Sequence, residues 1–448
     1  MNVRFAPFVL LSAVALAALL PRAVPAVQAG GPASSGDVAW MLTATGLVLL
    51  MTPGLSFFYG GMVRFKNVVS TMLQSFVALG VISLLWVVVG FSLAFGDSLG
   101  GLVGNPLTFF MLDGVGAATH PDLSPTIPLL LFALFQLKFA IITPALITGA
   151  FAERVRFSSY LLFMILFSLV IYAPLAHMTW HPQGWLRQMG VLDFAGGTVV
   201  HMSAGLAALA GALVLGRRQS HIANEAHEPA NIPYVLLGTG MLWFGWFGFN
   251  AGSALAANDT AVLAFATTNT ASAAAMLGWV FFDMVRGRKP SAMGACIGAV
   301  VGLVAITPAA GFVTVRHSIV IGLVASIVSN VAVYWKSRST LDDTLDVFPC
   351  HGVGGMVGMV MTGVFAKDVG LVNGNWHTFS VHMLALVVVT TFAFVGSWFL
   401  YRVVDTMWPM RVSPDAETDG LDLSQHGEVA ATFDTDHGVP ASLLEHVA

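Results

Sequence analysis

Two short patterns pair an aspartate with a histidine eight residues further along the chain, and a glycine follows each histidine four residues later. The first pattern joins Asp193 to His201, and the second joins Asp343 to His351. Two adjacent imidazoles can share a hydrogen bond, offer a donor and an acceptor to a small polar molecule, or pass a proton between them. The patterns therefore favour a site for such a molecule, although patterns this short can also match by chance.

Other roles for histidine and cysteine compete with this interpretation. A single histidine inside a helix is more often a packing residue, and we assign that role to His177. A metal site at His201 and His351 is the competing hypothesis, but the sequence contains no His-Glu-x-x-His pattern. The only cysteines, Cys296 and Cys350, lie in apolar segments and suggest neither a disulfide nor a metal site. We therefore expect no enzyme activity, no catalytic residue, no metal and no cofactor.

The chain that must position these residues is strongly apolar. Of its 448 residues, 56% are hydrophobic and 9% are charged, whereas soluble domains carry roughly 25% charged residues. Eleven apolar segments are long enough, or nearly so, to cross a bilayer, and they must be helices because bilayer-crossing backbone has to satisfy its own hydrogen bonds. The segments are 38–62, 68–95, 126–150, 157–180, 195–216, 232–255, 261–285, 290–308, 313–335, 350–366 and 380–405. The sequence thus predicts an all-α polytopic membrane protein, and the net charge of −4 gives no indication of a nucleic-acid partner.

The two Asp–His patterns are predicted to be inverted copies. Asp193 precedes the fifth apolar segment and Asp343 precedes the tenth, so five helices separate them. An odd number of crossings inverts the second copy relative to the first, as in transporters built from inverted repeats. At about 1.5 Å rise per residue, each histidine lies roughly 12 Å deeper than its aspartate. Both histidines should therefore approach the bilayer middle, from opposite sides.

Basic residues set the predicted orientation, because short cytoplasmic loops hold the excess of lysine and arginine. Intervening loops hold only Arg187, Arg316 and Lys367. The predicted cytoplasmic loops contain Arg64 and Lys66, Arg154 and Arg156, Arg217 and Arg218, Arg286, Arg288 and Lys289, and Lys336 and Arg338. We expect a multi-pass protein of a bacterial inner membrane, surrounded by lipid, with its mature N-terminus outside and its C-terminus in the cytoplasm.

Three parts of the chain follow from these patterns. Residues 1–29 are predicted to be a signal peptide, because Arg4 precedes an apolar run from Phe8 to Leu20 and small residues lead to Ala29. A short first transmembrane helix is the alternative, but the run of about 13 residues is shorter than the roughly 20 that a span needs. Residues 30–408 form the predicted helical domain, and residues 409–448 form a cytoplasmic tail.

Aromatic residues gather near the predicted outer helix ends. Phe135 and Phe139 have i, i+4 spacing, Trp180 ends an outer segment, and Phe249 precedes the hydroxyl of Ser253. Partly desolvated ring faces attract ammonium-type cations, but an interfacial belt and core packing also use aromatic residues. Spacing alone does not choose between these roles. We assign belt and core packing to Trp243, Trp246 and Phe247.

Longer motifs carry a family resemblance. They are Phe-Phe-Tyr-Gly-Gly at 57–61 with Lys66-Asn67, Gly149-Ala150-Phe151-Ala152-Glu153-Arg154 with Arg156-Phe157, the nine residues 193–201, the nine residues 245–253, Asp346-Val347-Phe348 with His351-Gly352-Val353, and Gly420-Leu421-Asp422 with His426-Gly427-Glu428. Over essentially the whole chain after residue 29, the sequence resembles the ammonium transporter (Amt/Mep/Rh) family, of the bacterial Amt type.

The resemblance implies a homotrimer with one pore per subunit. Each subunit would contain eleven transmembrane helices, arranged as two inverted five-helix repeats plus a final helix. By position, Phe135, Trp180 and Ser253 resemble the outer substrate-binding site, which Asp193 would hold together while favouring the cation. Phe139 and Phe249 resemble the stacked pore gate. His201 and His351 resemble the paired pore-lining histidines.

The implied function is ammonium transport by desolvation. A bare ammonium ion loses far more hydration than ammonia in an apolar pore, so deprotonation at the entrance lets the neutral form cross and excludes potassium. The alternatives are an ammonium sensor with little flux and an Rh-type neutral-gas channel. The resemblance also implies a PII-type cytoplasmic regulator, with residues 411–428 packed on basic loops. Two positions depart from the family pattern: Lys138 lies beside Phe139, and His181 follows Trp180. We expect Lys138 to point away from the pore.

Overall fold

The structure, a computed structural model, describes residues 6–20 and 29–430. Within these residues, ten helices are long and apolar enough to cross a membrane. They are α2 (Ser35–Met62), α3 (Phe65–Phe95), α4 (Leu129–Ala150), α5 (Phe157–Gln188, interrupted by a turn at 181–184), α6 (Gly197–Leu215), α7 (Ile232–Ala254), α8 (Asp259–Val285), α10 (Val315–Lys336), α11 (Phe348–Phe365) and α12 (Trp376–Met407). Two shorter helices, α1 (Ala6–Ala18) and α9 (Ala292–Ile306), complete the numbering.

The predicted all-helical membrane fold is confirmed, while the count of eleven spans stays a prediction. Ten predicted segments coincide with the ten long helices to within a few residues at most ends. The predicted segment 290–308 contains α9, whose 15 residues fall short of the roughly 20 that a span needs. The apolar run of the predicted signal peptide forms α1, and the cleavage point follows residues 21–28, which lie outside the described part of the chain.

The most buried long helices are α4 and α6, and these carry Phe139 and His201 respectively. Helix α12 is the least buried of the long helices, as expected of a helix that faces lipid. Phe139 and His201 therefore lie on central helices of the bundle.

Helices α6 and α11 cross closely at the glycines of the two Asp–His patterns. A Cβ added to Gly205 would lie 2.1 Å from the backbone nitrogen of Gly352, which no real contact permits. A Cβ on Gly355 would lie 3.2 Å from the Cβ of His201. Small residues let membrane helices approach this closely, and the crossing brings the two histidine-bearing turns together.

Two small antiparallel hairpins lie between α3 and α4. They consist of β1 (Ser98–Leu99) with β2 (Val103–Gly104), and β3 (Thr119–His120) with β4 (Ser124–Pro128). The second hairpin holds the segment before α2, because the Gly30 amide donates to the Thr119 carbonyl at 3.0 Å and the Ser34 amide donates to the Thr126 carbonyl at 2.8 Å. These contacts fix the start of α2 against the second hairpin.

The C-terminal segment packs against the arginine-bearing loops, but its acidic side chains bond to groups other than the loop arginines. Asp422 accepts hydrogen bonds from the Val69 and Ser70 amides at the start of α3, at 3.0 and 2.7 Å. Glu417 pairs at 2.7 Å with Arg411 of the same segment and accepts the Gln219 amide at 2.6 Å. Hydrogen bonds from backbone amides, at the start of α3 and in the loop after α6, therefore hold this segment in place. The rest of the predicted tail, residues 431–448, lies outside the described residues.

Candidate functional site

Two phenylalanines stack beside an apolar cavity in the helical core, and one of them, Phe249, lines it. The rings of Phe139 on α4 and Phe249 on α7 lie 4.1 Å apart between centroids at an angle of 27°. Phe135, one helical turn before Phe139, contacts that ring edge-on at 5.0 Å. Trp180 at the end of the main part of α5 contacts Phe139 at 5.8 Å. Four predicted site residues from three helices therefore form one aromatic cluster.

The polar groups beside this cluster are oriented by the backbone. The Ser253 hydroxyl donates to the Phe249 carbonyl at 2.8 Å, so its oxygen lone pairs remain free to accept from a cation. The Trp180 indole donates to the Asp193 carbonyl at 3.1 Å, which fixes the ring against the start of α6. Ring faces and an accepting hydroxyl are the groups that an ammonium-type cation needs.

Asp193 is a helix cap rather than an exposed anionic ligand. One carboxylate oxygen accepts the Gly196 and Gly197 amides at 2.8 and 2.6 Å, and the other accepts the Thr198 amide at 2.7 Å and its hydroxyl. Its side chain is buried, and the first turns of α6 have π-helical geometry. Asp193 therefore positions the turn that carries His201, and sequence analysis missed Thr198 as its partner.

The two histidines meet at the crossing of α6 and α11. Their Nδ1 atoms lie 3.3 Å apart, within hydrogen-bond distance, so the expected contact is present. One Nδ1 must carry the proton while the other accepts it. The Nε2 atom of His201 is buried and has no partner among the described residues. A small molecule in the adjacent cavity would therefore find an unused imidazole nitrogen.

Trp246 belongs to this site, which corrects its assignment to a belt or general core role. Its ring stacks on His201 at 5.3 Å and 17°, and its indole nitrogen donates to the Thr307 hydroxyl at 2.9 Å. The signal was available in the sequence, because Trp246 precedes Phe249 by three residues and so shares a helix face with it. Spacing within a single helix did not show that this face meets His201.

Two apolar cavities lie next to the histidines. His201 and His351 line the first, and His351 also lines the second. The other residues of the first cavity are Met51, Leu55, Phe58, Ile142, Leu146, Val200, Leu242, Trp246, Phe249 and Val300. The second cavity is lined by Phe58, Tyr59, Met62, Ile297, Val300, Leu345, Cys350 and His351. The cavities share Phe58, Val300 and His351, so they are neighbours in the helical core.

Comparison with known proteins decides the family. Residues 39–431 match the sequence model described as the Ammonium Transporter Family. The chain belongs to the ammonium transporter family. It is 45% identical to ammonium transporter Amt1 of Archaeoglobus fulgidus over 404 residues, which cover 89% of this chain and 100% of that protein. Its fold is similar to the crystal structure of Candida albicans Mep2, with a TM-score of 0.81, 36% identity and coverage of 86% of this chain and 87% of that one.

A further solved structure titled "Sensor Amt Protein" has a TM-score of 0.80 and 30% identity, and the match covers 87% of this chain and 98% of that one. This ammonium transporter family member is a multi-pass membrane protein. Its family and the ten helices of spanning length in the described residues both support this.

Three further residues of this family member were singled out by sequence. His177 bonds to the Ala94 carbonyl at 3.1 Å and the Ser98 hydroxyl at 2.8 Å, as expected of a packing histidine. The His181 ring stacks on His177 at 4.4 Å. Lys138 is half-buried, lines neither cavity, and has no hydrogen bond or ion pair in the described part of the chain. Lys138 therefore lies outside both cavities, in agreement with a side chain that points away from them.

An ion-pair network, missed by sequence analysis, joins the loops after α4, α6 and α10. Arg218 pairs with Glu153 at 2.6 Å and with Asp342 at 2.9 Å, and all three side chains are largely buried. Burial disfavours the ionised carboxylate, yet hydrogen bonds from Arg218 and the charge of Arg154 hold the pKa of Asp342 well below its usual range. Burial, only partly offset by Asp342, lowers the pKa of Arg154 to about 10. The charged groups of this network bond to one another and so have a structural role.

Proposed function

We propose that this protein transports ammonium across the membrane by recruiting the ion, removing its proton and passing ammonia through the histidine-lined path. The observation that carries the proposal is an imidazole pair in an otherwise apolar cavity, directly behind two stacked phenylalanines. Family membership supports ammonium as the substrate.

Recruitment is assigned to Phe135, Trp180 and Ser253. The two aromatic rings would attract a partly desolvated cation, and the Ser253 oxygen would accept one of its N–H groups. Asp193 contributes indirectly, because its backbone carbonyl holds the Trp180 ring and its carboxylate organises the start of α6. Its nearby negative charge also favours a cation over an anion at this entrance.

Selection follows from desolvation past Phe139 and Phe249. An ion that enters an apolar cavity without a counter-charge loses several kcal/mol or more of hydration, whereas a neutral ammonia molecule loses far less. The histidines offer hydrogen bonds to ammonia without supplying a full negative charge. Potassium has no proton to release and is therefore excluded.

The finer architecture follows the family resemblance. We assign eleven transmembrane helices, with α9 completing the count, in two inverted five-helix halves and a final helix. The matching caps support the inversion, because Asp193 and Asp343 each accept the amides four and five residues ahead. We further propose a homotrimer in a bacterial inner membrane, with a cleaved signal peptide, an outer mature N-terminus and a cytoplasmic C-terminus.

The test replaces the histidines singly and together by leucine in proteoliposomes, with ammonium and potassium flux and current measured in parallel. Because the rings touch, we expect the variants to act as a unit, so that His201→Leu with His351→Leu changes selectivity or current little more than one replacement does. Loss of fold is monitored by thermal unfolding of the same samples. Unchanged ammonium flux and selectivity in a folded double variant would refute the proposed path.

An ammonium sensor with little flux is the second candidate, and similarity to the structure titled "Sensor Amt Protein" favours it. A sensor would bind ammonium yet give liposome flux near background. An Rh-type neutral-gas channel would give flux without current, and the recruitment residues Trp180 and Ser253 argue against it. Measured flux and current in the same liposomes separate the three possibilities.

Regulation is assigned to the tail. Asp422 holds the start of α3 and Glu417 bonds the loop after α6, so tail position is linked to two pore-domain elements. We expect deletion of residues 411–448 to reduce transport and remove binding of a PII-type regulator, whereas deletion of 431–448 should spare both. Binding of the cognate PII protein is measured with ATP, ADP and 2-oxoglutarate. No binding by the full-length protein under any of these conditions would defeat the regulatory assignment and leave transport untouched.

A further inference from the structure

A small cavity lies between α3 and α5, apart from the path through the histidines. Its lining residues are Ile82, Leu85, Trp86, Gly90, Ala140, Ser168, Leu169, Tyr172 and Ala173, and none of them lines the two pore cavities. Both helices that form it have a π-helical turn here, at Trp86–Gly90 and at Ser168–Tyr172. Such turns disrupt the regular hydrogen-bond ladder and are frequent at functional positions.

Two residues that line this cavity carry buried hydroxyl groups without a hydrogen-bond partner in the described part of the chain. The Ser168 and Tyr172 oxygens are both buried, and neither bonds to any group in the described part of the chain. The remaining polar side chain, Trp86, already donates its indole N–H to the Ala133 carbonyl at 3.0 Å. Unpaired hydroxyls inside an apolar bundle are costly, so two of them at one cavity call for a binding partner.

The size and charge of the cavity limit what that partner is. Its free volume suits about one water-sized molecule, and such a molecule needs two or more polar neighbours. No acidic side chain lines the cavity, so an ammonium ion would be desolvated without a counter-charge. The occupant must be neutral, have one heavy atom, and both donate and accept hydrogen bonds.

We propose that this cavity is a binding site for one such molecule, water or ammonia, held between the Ser168 and Tyr172 hydroxyls. One hydroxyl donates to the molecule and the other accepts from it, which satisfies both groups. The site is separate from the transport path, so the proposal stands independently of the proposed function.

The test measures thermal unfolding of the purified full-length protein with Tyr172→Phe and with Ser168→Ala. Removing one hydroxyl takes away one hydrogen bond of the bound molecule. Each change should therefore lower the Tm by about 2 °C or more. Tyr401→Phe is the matched control, because the Tyr401 hydroxyl is also buried and unpaired. A Cβ on Gly211 would lie 2.6 Å from that hydroxyl, which indicates tight packing and no room for an occupant there. Its removal should leave the Tm unchanged or raised.

A density map of the same protein supplies the second measurement. We expect an isolated peak within hydrogen-bond distance of both hydroxyls, lost in the Tyr172→Phe variant. If Tyr172→Phe raises the Tm as Tyr401→Phe does, or the map shows no peak there, the site does not exist.

The occupant is identified by repeating the Tm measurements at alkaline pH in ammonium chloride and in potassium chloride. If ammonia binds, ammonium chloride should raise the Tm of the original protein more than that of Tyr172→Phe. An equal response of the two proteins, with the density peak present, assigns the occupant as water. Both outcomes support the site.

Discussion

The two copies of the Asp–His pattern, the outer (Asp193) and the inner (Asp343) copy in the proposed orientation, use the same kind of helix cap but with different numbers of hydrogen bonds. Asp193 receives four hydrogen bonds, three from backbone amides and one from the Thr198 hydroxyl. Asp343 receives two, from the Val347 and Phe348 amides. Burial raises the pKa of Asp343 to about 6, although Lys336 opposes this shift. The comparison indicates that Asp193 is the more fully bonded cap and that burial makes the Asp343 cap harder to ionise.

The largest difference should appear when each cap is removed. Asp193→Ala leaves three backbone amides without acceptors, at about 1–3 kcal/mol each, and should reduce ammonium uptake at least tenfold. Asp343→Ala orphans only two amides and should retain more uptake. Uptake of radiolabelled methylammonium is compared at equal amounts of folded protein. Near-normal uptake in folded Asp193→Ala would show that the outer cap is dispensable.

The ion pairs next to the inner cap should matter for stability. Arg218→Met leaves Asp342 and Glu153 buried without their partner and should cost about 3–5 kcal/mol. Arg64→Met is the control, because Arg64 pairs with an exposed Glu225 and such pairs contribute about 0–1 kcal/mol. Denaturation of both variants is followed in the same detergent. Equal losses would mean that burial does not distinguish these pairs.

Titration of the inner cap gives a smaller, pH-dependent effect. Because the folded-state pKa of Asp343 is raised to about 6 from 3.8, folding takes up a proton between these values. Its contribution to stability is therefore complete below about pH 4 and is lost as the pH rises through 6, by about 3 kcal/mol. Asp343→Asn should remove this slope, whereas Asp193→Asn should keep it. Thermal unfolding from pH 4 to 8 measures the difference, and an unchanged slope in Asp343→Asn would contradict the assignment.

The smallest effect on transport is expected at Lys138. This half-buried lysine lines neither cavity, so Lys138→Met should leave ammonium uptake within about twofold. Removing an unpaired charge from a membrane helix should also raise stability, by up to about 3 kcal/mol. A strong loss of uptake would place Lys138 in the path and put the assignment of its neighbour Phe139 in doubt.

The sequence by itself determined the helical membrane fold, because spans of apolar residues leave the backbone no other way to satisfy its hydrogen bonds. It also singled out Asp193, His201, Asp343 and His351, since a repeated spacing survives in the linear chain. Helix ends were predictable to within a few residues, because polarity changes sharply at the membrane boundary.

Only the tertiary structure decided which groups from different helices meet. Trp246 stacks on His201 because α6 and α7 pack together, and no spacing within α7 contains that information. The ion-pair network joins residues more than sixty positions apart, namely Glu153, Arg218 and Asp342. In the sequence, each of them looks like an ordinary charged residue of a loop. The sequence does not show that Ser168 and Tyr172 line a common cavity between α3 and α5 or that their hydroxyls are unpaired. Each of these features depends on contacts between distant segments, which helix packing sets and local residue pattern does not.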